Sequence, residues 1–320
     1  MIRDVAHPVI IDCDPGVDDM IALLLASASD DVDLLGVTTV CGNVGVSQTT
    51  ANALAVLALA ERADVPVATG ASRALIRAAN RRAEDVHGRD GLGGAQVPPS
   101  PKKAEQSNAI EFMANTVDSS SRPITLIATG PLTNVALFFA CYPDLAGRLA
   151  RLIALGGAFG PGNINEVAEF NIWADPEAAY RVLAESDLGR IVPTTVISLD
   201  VASKVTLDVA DLQRLHDSGR NGSLAADALG GEYLERFKAV YGRSVVPIYD
   251  ALTVVMLLRP DLITTMSTVI DVDTSTGQNR GRTRASLCDF TPDNRRLFIA
   301  TDAKSELINN FVVDQLVRLP

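Results

Sequence analysis

The sequence predicts an α/β fold built on a doubly wound, mostly parallel sheet with helices on both faces. Short apolar segments alternate with helix-like segments along most of the chain, and this alternation is typical of βαβ units in a parallel sheet. Hydrophobic residues make up 47% of the 320 residues, whereas aromatic residues make up only 5%. Such a composition suits helices that pack on a sheet buried on both sides. Because no linker or internal repeat interrupts the pattern, we expect residues 1–320 to form a single domain.

The predicted elements follow one another in strand–helix order. Strands are predicted over residues 9–11, 34–40, 124–128, 152–155 and 191–199, and helices over residues 17–28, 47–62, 132–141 and 175–186. Residues 261–320 contain strand candidates near Val269, Ser286 and Leu297 and a closing helix from Lys304. Ligands of such Rossmann-like sheets bind outside the carboxyl ends of the strands, so we expect the active-site loops there.

Two regions break the alternation. Residues 71–107 are rich in Arg, Gly and Pro, and the length of this segment marks it as functional or mobile. Residues 207–250 have the pattern of two helices and a loop. We expect the loop from Ala71 and the loop over residues 222–243 to close over a bound ligand.

Charge, cysteine content and hydropathy exclude several classes of protein. The net charge of −11 and the lack of a basic patch beyond residues 77–82 argue against a nucleic-acid partner. The cysteines Cys13, Cys41, Cys141 and Cys288 form no CxxC pair and lie in apolar runs, which predicts buried free thiols. The sequence has no signal-peptide pattern and no apolar run of membrane-spanning length, so we expect a cytoplasmic protein without a membrane partner.

Four carboxylates crowd the turn after the first predicted strand, in the segment Asp12-Cys13-Asp14-Pro15-Gly16-Val17-Asp18-Asp19. Pro15 and Gly16 predict a tight turn, and Asp18 and Asp19 fall in the first turn of the next helix. Carboxylates this close repel one another unless they share a cation. Hard oxygen ligands favour Ca²⁺ or Mg²⁺ over zinc.

A helix cap and a phosphatase nucleophile are two other interpretations of this turn. A single Asp before a helix usually caps that helix, but a cap needs one carboxylate and this turn has four. Phosphatases of the haloacid dehalogenase type also begin with a strand and an Asp-x-Asp turn, in which the first Asp is the nucleophile. A Thr normally follows closely there, whereas Pro15 and Gly16 occupy that place here. A metal-dependent phosphatase is therefore the weaker interpretation.

The acidic turn closely resembles the signature of the inosine–uridine-preferring nucleoside hydrolase family, and further segments resemble that family in the same order along nearly the whole chain. These segments are Val40-Cys41-Gly42-Asn43, His87-Gly88-Arg89-Asp90-Gly91-Leu92-Gly93, Ala128-Thr129-Gly130-Pro131-Leu132-Thr133-Asn134, Gly156-Gly157 through Gly162-Asn163, Ala168-Glu169-Phe170-Asn171, Asp175-Pro176-Glu177-Ala178 and Tyr249-Asp250-Ala251. One such motif is a weak signal, whereas this many in order form a strong one. The resemblance implies an enzyme that cleaves the N-glycosidic bond of a ribonucleoside to free base and ribose.

The resemblance also implies a Ca²⁺ cofactor and a set of site residues. It implies that Ca²⁺ is held by Asp14, Asp19, Asp250 and the backbone carbonyl of Thr129. Asp14 is implied as the general base that takes a proton from a Ca²⁺-bound water, which attacks C1′ of the ribose. The implied substrate-binding residues are Asp18, Asn43, Asn163, Glu169, Phe170, Asn171 and Asp250. Family members are usually dimers or tetramers, which implies a homo-oligomer.

Several of these residues also have structural interpretations. Asn43 and Asn163 each follow a glycine and are, taken alone, typical turn residues. Asp250 is placed to cap a helix that begins at Ala251. An isolated His87 in a long loop is more often a solvated residue than a catalyst.

The last motif departs from the family pattern at Tyr249. Many purine-active relatives carry a His there, which is taken as the acid that protonates the leaving base. A Tyr has an unperturbed pKa of about 10 and is a poorer acid at neutral pH. Tyr249 stays a candidate catalytic residue that donates a hydrogen bond to the base or stacks on it, and His87 and Tyr241 are alternative acids. Base preference stays open between purines and pyrimidines, and a catalytically weak ribonucleoside-binding protein stays an alternative to the hydrolase. Residues 277–289 also depart from the family's usual run, which we expect to reshape the base pocket.

Overall fold

Strands and helices alternate along most of the chain. The computed structural model describes residues 6–77, 82–184, 192–218, 222–287 and 297–319. The strands are β1 (His7–Cys13), β2 (Val32–Thr39), β3 (Val67–Thr69), β4 (Thr125–Ala128), β5 (Arg151–Leu155), β6 (Thr194–Ile197), β7 (Thr206–Asp208), β8 (Val245–Pro247), β9 (Ile263–Val272), β10 (Thr283–Leu287) and β11 (Leu297–Ala303). The helices are α1 (Val17–Ala28), α2 (Val46–Leu59), α3 (Glu84–His87), α4 (Ala109–Ser119), α5 (Thr133–Cys141), α6 (Pro143–Ala146), α7 (Phe170–Ala174), α8 (Pro176–Ala179), α9 (Leu199–Ala202), α10 (Val209–His216), α11 (Gly222–Ala228), α12 (Leu234–Tyr241), α13 (Ala251–Leu258) and α14 (Ser305–Leu316).

Nine of the described strands form one sheet in the order β10-β9-β11-β6-β5-β4-β1-β2-β3. Every pair from β11 across to β3 is parallel, whereas β9 runs antiparallel to both β11 and β10. The order β3-β2-β1-β4-β5-β6 is that of a doubly wound sheet, whose winding reverses between β1 and β4. The predicted fold class is confirmed. Ligands of such sheets bind at the carboxyl ends of the strands beside this reversal.

Two apolar layers cover the opposite faces of the sheet. Ile11 of β1 and Ile127 of β4 belong to the layer that contains α1, α13 and α14. Their neighbours Ile10 and Leu126 belong to the layer that contains α4, α5 and α8. Successive side chains of a strand point to opposite faces, so a strand covered on both faces must be apolar throughout. This burial explains why the strands appear in the sequence as short continuous apolar runs.

Most predicted elements lie within a few residues of their predicted bounds, and α1 matches them fully. The helix predicted over residues 175–186 is confirmed over residues 176–184, where α8 continues directly into a π-helical segment, Tyr180–Ala184, and residues 185–186 lie outside the described residues. The two helices predicted over residues 207–250 correspond to α10 and to a longer helical segment over residues 222–241, in which α11 and α12 flank a π-helical segment, Leu229–Tyr233. The three-residue strands β7 and β8, which lie at the two ends of this region, were not predicted. Strands of three residues are too short to show a readable period of two.

Cysteine burial and helix hydropathy test two further expectations. Cys13 is buried, Cys41 is half-buried and Cys141 is exposed, and all three are free thiols. The prediction of buried thiols is therefore wrong for Cys141, because the last residue of α5 faces solvent. Cys288 lies outside the described residues. Among the helices of the described ranges, none combines the length and hydropathy that a bilayer-spanning segment requires.

Candidate active site

Buried carboxylates from two distant parts of the chain meet at the carboxyl end of β1. Asp14 follows β1, Asp18 and Asp19 lie in the first turn of α1, and Asp250 directly precedes α13. Each of the four residues is at most 6% exposed. Single carboxylate oxygens of Asp18, Asp19 and Asp250 lie within 4.8 Å of one another. We call these four residues the acidic cluster. Asp250 makes no side-chain cap to α13, so the capping interpretation does not explain its position.

Asp14 is held by one of its two carboxylate oxygens. Its Oδ2 accepts a hydrogen bond from the backbone N–H of Asn43 at 2.7 Å. Its Oδ1 is buried and has no hydrogen-bond partner within the described part of the chain. The carboxylate packs against the backbone at Gly42 and Gly130, where a Cβ atom on Gly130 would come within 2.6 Å of Oδ1. These two glycines therefore leave the room that the Asp14 side chain needs.

Burial and mutual repulsion make the acidic cluster difficult to ionise without a counter-charge. Burial, followed by the charge of Asp19, raises the pKa of Asp14 well above its usual value. Burial raises the pKa of Asp18 to about 6, and burial with the charge of Asp18 raises the pKa of Asp19 to about 6. Burial and the neighbouring carboxylates also raise the pKa of Asp250 well above its usual value. A site of this kind favours a bound cation.

Asp12 lies beside the acidic cluster but binds the scaffold. Its Oδ1 accepts hydrogen bonds from Oγ1 of Thr38 at 2.6 Å and from Nδ2 of Asn134 at 2.8 Å. These bonds connect the end of β1 to β2 and α5. Complete burial raises the pKa of Asp12 to about 7. Of the four carboxylates in the acidic turn, only Asp18 lines the cavity described below.

The loop after β4 adds Thr129 to the cluster. Its Oγ1 donates to Oδ1 of Asp19 at 2.7 Å. Its backbone carbonyl oxygen accepts from Nδ2 of Asn171 at 2.6 Å. Because a carbonyl oxygen has two lone pairs, this bond leaves one acceptor position on Thr129.

The loop after β5 carries the other predicted polar residues, and its conformation is set by Glu169. The carboxylate of Glu169 accepts from the backbone N–H of Asn171 at 2.8 Å, of Ile172 at 3.1 Å and of Gly157 at 3.0 Å. The first two bonds cap the N-terminus of α7. Asn163 joins the same loop, since its Oδ1 accepts from the backbone N–H of Phe170 at 2.9 Å. Glu169 thus has a structural function that the sequence motif did not reveal.

His87 lies on α3 and is only 6% exposed, so the alternative interpretation of His87 as a solvated loop residue is wrong. Its Nδ1 accepts a hydrogen bond from the backbone N–H of Val17, the first residue of α1, at 3.1 Å. An Nδ1 that accepts must be unprotonated, so the proton of the neutral ring lies on Nε2. Burial lowers the pKa of His87 to about 4. The imidazole is therefore a neutral hydrogen-bond donor at neutral pH.

An aromatic group lies beside His87. The ring centroids of Tyr233 and Phe237 are 4.8 Å apart, those of Phe237 and Tyr249 are 6.2 Å apart, and those of His87 and Tyr233 are 5.7 Å apart. Sequence reasoning identified Tyr249 but missed Tyr233 and Phe237. Their spacing of four residues is a signal of one helix face, but the pattern alone does not distinguish a ligand wall from a core. The side chain of Tyr241 lies outside the described part of the structure.

A cavity of about 510 Å³ connects these groups. Its wall includes the predicted residues Asp18, Asn43, His87, Thr129, Asn163, Glu169, Phe170, Asn171, Tyr249 and Asp250. Asp14 and Asp19 do not line the cavity, but they accept hydrogen bonds from its lining residues Asn43 and Thr129. The aromatic group lines the cavity as well, together with Pro161, Leu199 and Asp200. Asp200, which sequence reasoning also missed, accepts from the backbone N–H groups of Phe159 and Gly160 at 2.8 Å each. A cavity of this size at the strand ends is typical of a small-molecule site.

Comparison with known proteins assigns the family. The model of the inosine-uridine preferring nucleoside hydrolase family matches residues 9–310. The chain belongs to this family. The match covers nearly the whole chain, so the resemblance inferred from the ordered motifs is confirmed, and so is the inference that the chain is a nucleoside hydrolase enzyme. The alternative phosphatase interpretation has no support from this match.

Relatives of the hydrolase agree with the assignment. The pyrimidine-specific ribonucleoside hydrolase RihA of Salmonella arizonae is 36% identical over 312 residues, which are 97% of this chain and 98% of that protein. RihA of Salmonella paratyphi C is 38% identical over 279 residues, which are 87% and 88%. Among solved structures, the plant nucleoside hydrolase PpNRh1 has a TM-score of 0.89 and 31% identity, with 97% of this chain and 99% of that chain covered. The purine-preferring ribonucleoside hydrolase from Gardnerella vaginalis has a TM-score of 0.90 and 28% identity, with 98% and 99% covered.

The segment that departs from the family pattern holds the loop after β5 by backbone hydrogen bonds. In the described part of residues 277–289, no residue lines the cavity, so the expectation that this segment reshapes the base pocket is wrong for residues 277–287. Oγ1 of Thr283 instead donates to the carbonyl oxygen of Ala158 at 2.8 Å and accepts from its N–H at 2.9 Å.

The cytoplasmic location, the single domain and the homo-oligomer stay predictions.

Replacing Thr283 by Val is expected to destabilise the hydrolase and to weaken substrate binding. The change keeps the shape of the side chain but leaves the buried N–H and carbonyl groups of Ala158 without partners, which costs about 1–3 kcal/mol. Thr301→Val is the matched control, because Thr301 makes one longer bond of 3.3 Å near the surface. Thermal unfolding and the KM for a nucleoside would be measured for both variants. Equal destabilisation by the two changes would contradict this assignment.

Proposed function

We propose that the chain hydrolyses the N-glycosidic bond of ribonucleosides in a Ca²⁺-dependent reaction, with Asp14 as the general base and pyrimidine ribonucleosides as the preferred substrates. The observation that carries the proposal is the buried acidic cluster, two of whose members, Asp18 and Asp250, line a cavity of about 510 Å³. The family match and the RihA relatives, which are named as pyrimidine-specific, support the substrate class.

The acidic cluster fits a calcium ion by the chemistry of its donors. Asp14 has a buried oxygen without a partner among the described residues, and burial, followed by repulsion from neighbouring carboxylates, raises the pKa values of Asp14, Asp19 and Asp250. Ca²⁺ takes about six to eight oxygen ligands. We propose Asp14, Asp19, Asp250 and the carbonyl oxygen of Thr129 as protein ligands, with Asp18 beside them. When bound, the ion would lower the pKa of a neighbouring water molecule.

Asp14 accepts the proton of the attacking water in this proposal. Its Oδ2 is fixed by the N–H of Asn43, so Oδ1 is the oxygen available as proton acceptor. A carboxylate whose pKa is raised by burial is a stronger base than an exposed one. Attack at C1′ through a transition state that resembles an oxocarbenium ion follows the general chemistry of glycoside hydrolysis.

The ribose is proposed to lie on the polar floor of the cavity. The amide hydrogens of Asn171 point to the carbonyl oxygens of Thr129 and Leu155, so its Oδ1 is left to accept from a hydroxyl. Asn163 uses its Oδ1 internally, so its Nδ2 is left to donate. Such complementary donors and acceptors discriminate strongly against a sugar that lacks a hydroxyl, because the site's own groups would stay unpaired.

The remaining floor residues complete the proposed ribose site. Asp18, Asp250 and Glu169 present carboxylate oxygens to sugar hydroxyls, and the ring of Phe170 lines the same wall. Nδ2 of Asn43 donates to the carbonyl oxygen of Asp14 at 3.1 Å and lies 3.3 Å from Oδ2 of Asp19. Asn43 therefore positions the acidic cluster as well as facing the sugar.

His87 is proposed to donate a hydrogen bond to the leaving base. Its Nδ1 is occupied by the N–H of Val17, so Nε2–H is the donor of the neutral ring. The O2 carbonyl of a pyrimidine lies next to the glycosidic nitrogen and gains negative charge as the bond breaks, so a donor there favours departure. Tyr249 would pack on the base or donate to it. Purines instead require a proton on the imidazole ring of the base. Many purine-active relatives carry a His for this step, and Tyr249 occupies the position of that His here.

Base release from five ribonucleosides tests the proposal. Uridine and cytidine are expected to react with a kcat/KM about 10- to 100-fold above that of inosine, adenosine and guanosine. Reactions would be followed by chromatography with Ca²⁺ and after its removal by a chelator. Release of purines at the same rate would overturn the pyrimidine preference. No release from any nucleoside by the folded, Ca²⁺-loaded protein would favour the ribonucleoside-binding alternative.

A further inference from the structure

Asn52 joins two parts of the active site that lie far apart in the sequence. It lies on α2 and is 3% exposed. Its Nδ2 group donates to the carbonyl oxygen of Pro15 at 3.0 Å and to that of Asp90 at 2.8 Å. Its Oδ1 accepts from Nε2 of Gln48 at 2.8 Å. Both amide hydrogens are used, so the side chain is held in one orientation.

The two carbonyl groups belong to the two segments that meet at His87. Pro15 lies in the acidic turn, and Asp90 lies in the loop that follows His87 on α3. The loop packs closely on the amide, since a Cβ atom on Gly91 would come within 2.7 Å of Nδ2 of Asn52. The Asn52 side chain therefore sets the separation between the loop and the turn. Asn52 does not line the cavity itself.

The orientation of His87 depends on that separation. The hydrogen bond from the N–H of Val17 to Nδ1 of His87 joins the same two segments, because Val17 lies only two residues after Pro15. If the loop moves away from the turn, this bond lengthens and Nε2–H no longer points in a fixed direction. Misplacement of a catalytic group by about 1 Å lowers a rate by about 10²-fold.

We propose that Asn52 is a positioning residue for departure of the base, which acts by holding His87 against the N-terminus of α1. This inference rests on the proposed function, in which His87 donates to the leaving base. Among the described residues, the side chain of Asn52 forms hydrogen bonds with Gln48, Pro15 and Asp90, and none with the acidic cluster side chains or the loop after β5. Its loss therefore lowers kcat for substrates whose leaving group needs a hydrogen-bond donor, with little change in KM.

Asn52→Leu tests the proposal, because Leu has a similar size and no donor. The kcat for uridine is expected to fall by about 10²-fold. The kcat for para-nitrophenyl β-D-ribofuranoside is expected to stay nearly unchanged, because its leaving group departs without a donor. A general disturbance of the fold or of the cation site would lower both rates together, and that result would overturn the proposal. An unchanged kcat for uridine would overturn it as well.

Three further variants complete the experiment. Gln48→Leu is the matched control, because it removes the partner of Oδ1 but keeps both donors of Asn52, and it is expected to retain wild-type rates on both substrates. His87→Gln is expected to lose activity with uridine, and adding Asn52→Leu to it is expected to cause little further loss, since the two residues act as one unit. Full additivity of the two losses would overturn the proposal. If Asn52→Leu does not fold, Asn52→Ser is measured in the same assays.

The wild-type protein separates the two levels of inference. A folded, Ca²⁺-loaded wild-type protein that releases no uracil from uridine would overturn the proposed function. A wild-type protein that is active, together with Asn52→Leu that loses activity equally on both substrates, would overturn the positioning proposal alone.

Discussion

Replacing Asp14 by Asn is expected to lower kcat for uridine by about 10²- to 10⁴-fold, the range that loss of a general base produces. Asn has the same shape and still accepts the hydrogen bond that Asn43 donates to Oδ2, but it cannot take a proton from water. Because the change also removes a buried carboxyl whose pKa is raised by burial, the folded state without Ca²⁺ should be at least as stable as that of the wild type. Steady-state base release with saturating Ca²⁺ and thermal unfolding of the metal-free protein measure the two effects.

Asp12→Asn is the matched control for this variant. It makes the same chemical change two residues away, and an amide oxygen at Asp12 can still accept from Thr38 and Asn134. This variant is expected to keep most of the activity, because the hydrogen bonds of Asp12 go to the scaffold residues Thr38 and Asn134 and not to the acidic cluster. Activity of the Asp14 variant within tenfold of wild type would remove Asp14 from the role of base. An equal loss in both variants would assign the effect to local charge instead of proton transfer.

Removal of Ca²⁺ is expected to abolish base release and to destabilise the protein in a pH-dependent manner. Without the ion, the pKa values of Asp18 and Asp19 are about 6 in the folded state and 3.8 in the reference state. The folded state then binds more protons than the unfolded state as pH rises from about 4 to about 6. Stability is therefore present at low pH and lost through this window, by about 3 kcal/mol for one such carboxyl. The coupled groups do not contribute additively.

The bound ion should offset this loss. The increase in thermal midpoint on adding Ca²⁺ to metal-free protein is therefore expected to be small near pH 5 and large near pH 8. Sodium chloride at equal ionic strength controls for screening of charge. An equal increase at both pH values would contradict the assignment of the ion to the acidic cluster, and base release that survives removal of the ion would contradict the proposed mechanism.

Local sequence patterns determined much of the fold. The apolar run of β1 and the helix α1 were predicted because a strand covered on both faces must be apolar and because a helix start follows a tight turn. The acidic turn was also visible, since Asp14, Asp18 and Asp19 are close in sequence. Short elements such as β7 and β8 were missed because three residues carry no periodic signal.

The sequence by itself therefore determined the doubly wound sheet, the acidic turn and the ordered motifs that assign the family. Only the tertiary structure decided how these parts act on one another. It places Asp250 beside the acidic turn and shows that Glu169 caps α7. It also shows that Nδ1 of His87 accepts a hydrogen bond from the N–H of Val17, which favours the neutral ring. It also placed Asn52 between two loops. The physical reason is that periodicity and turn chemistry are local properties of the chain, whereas a hydrogen bond between distant segments depends on the path of the folded backbone and on burial.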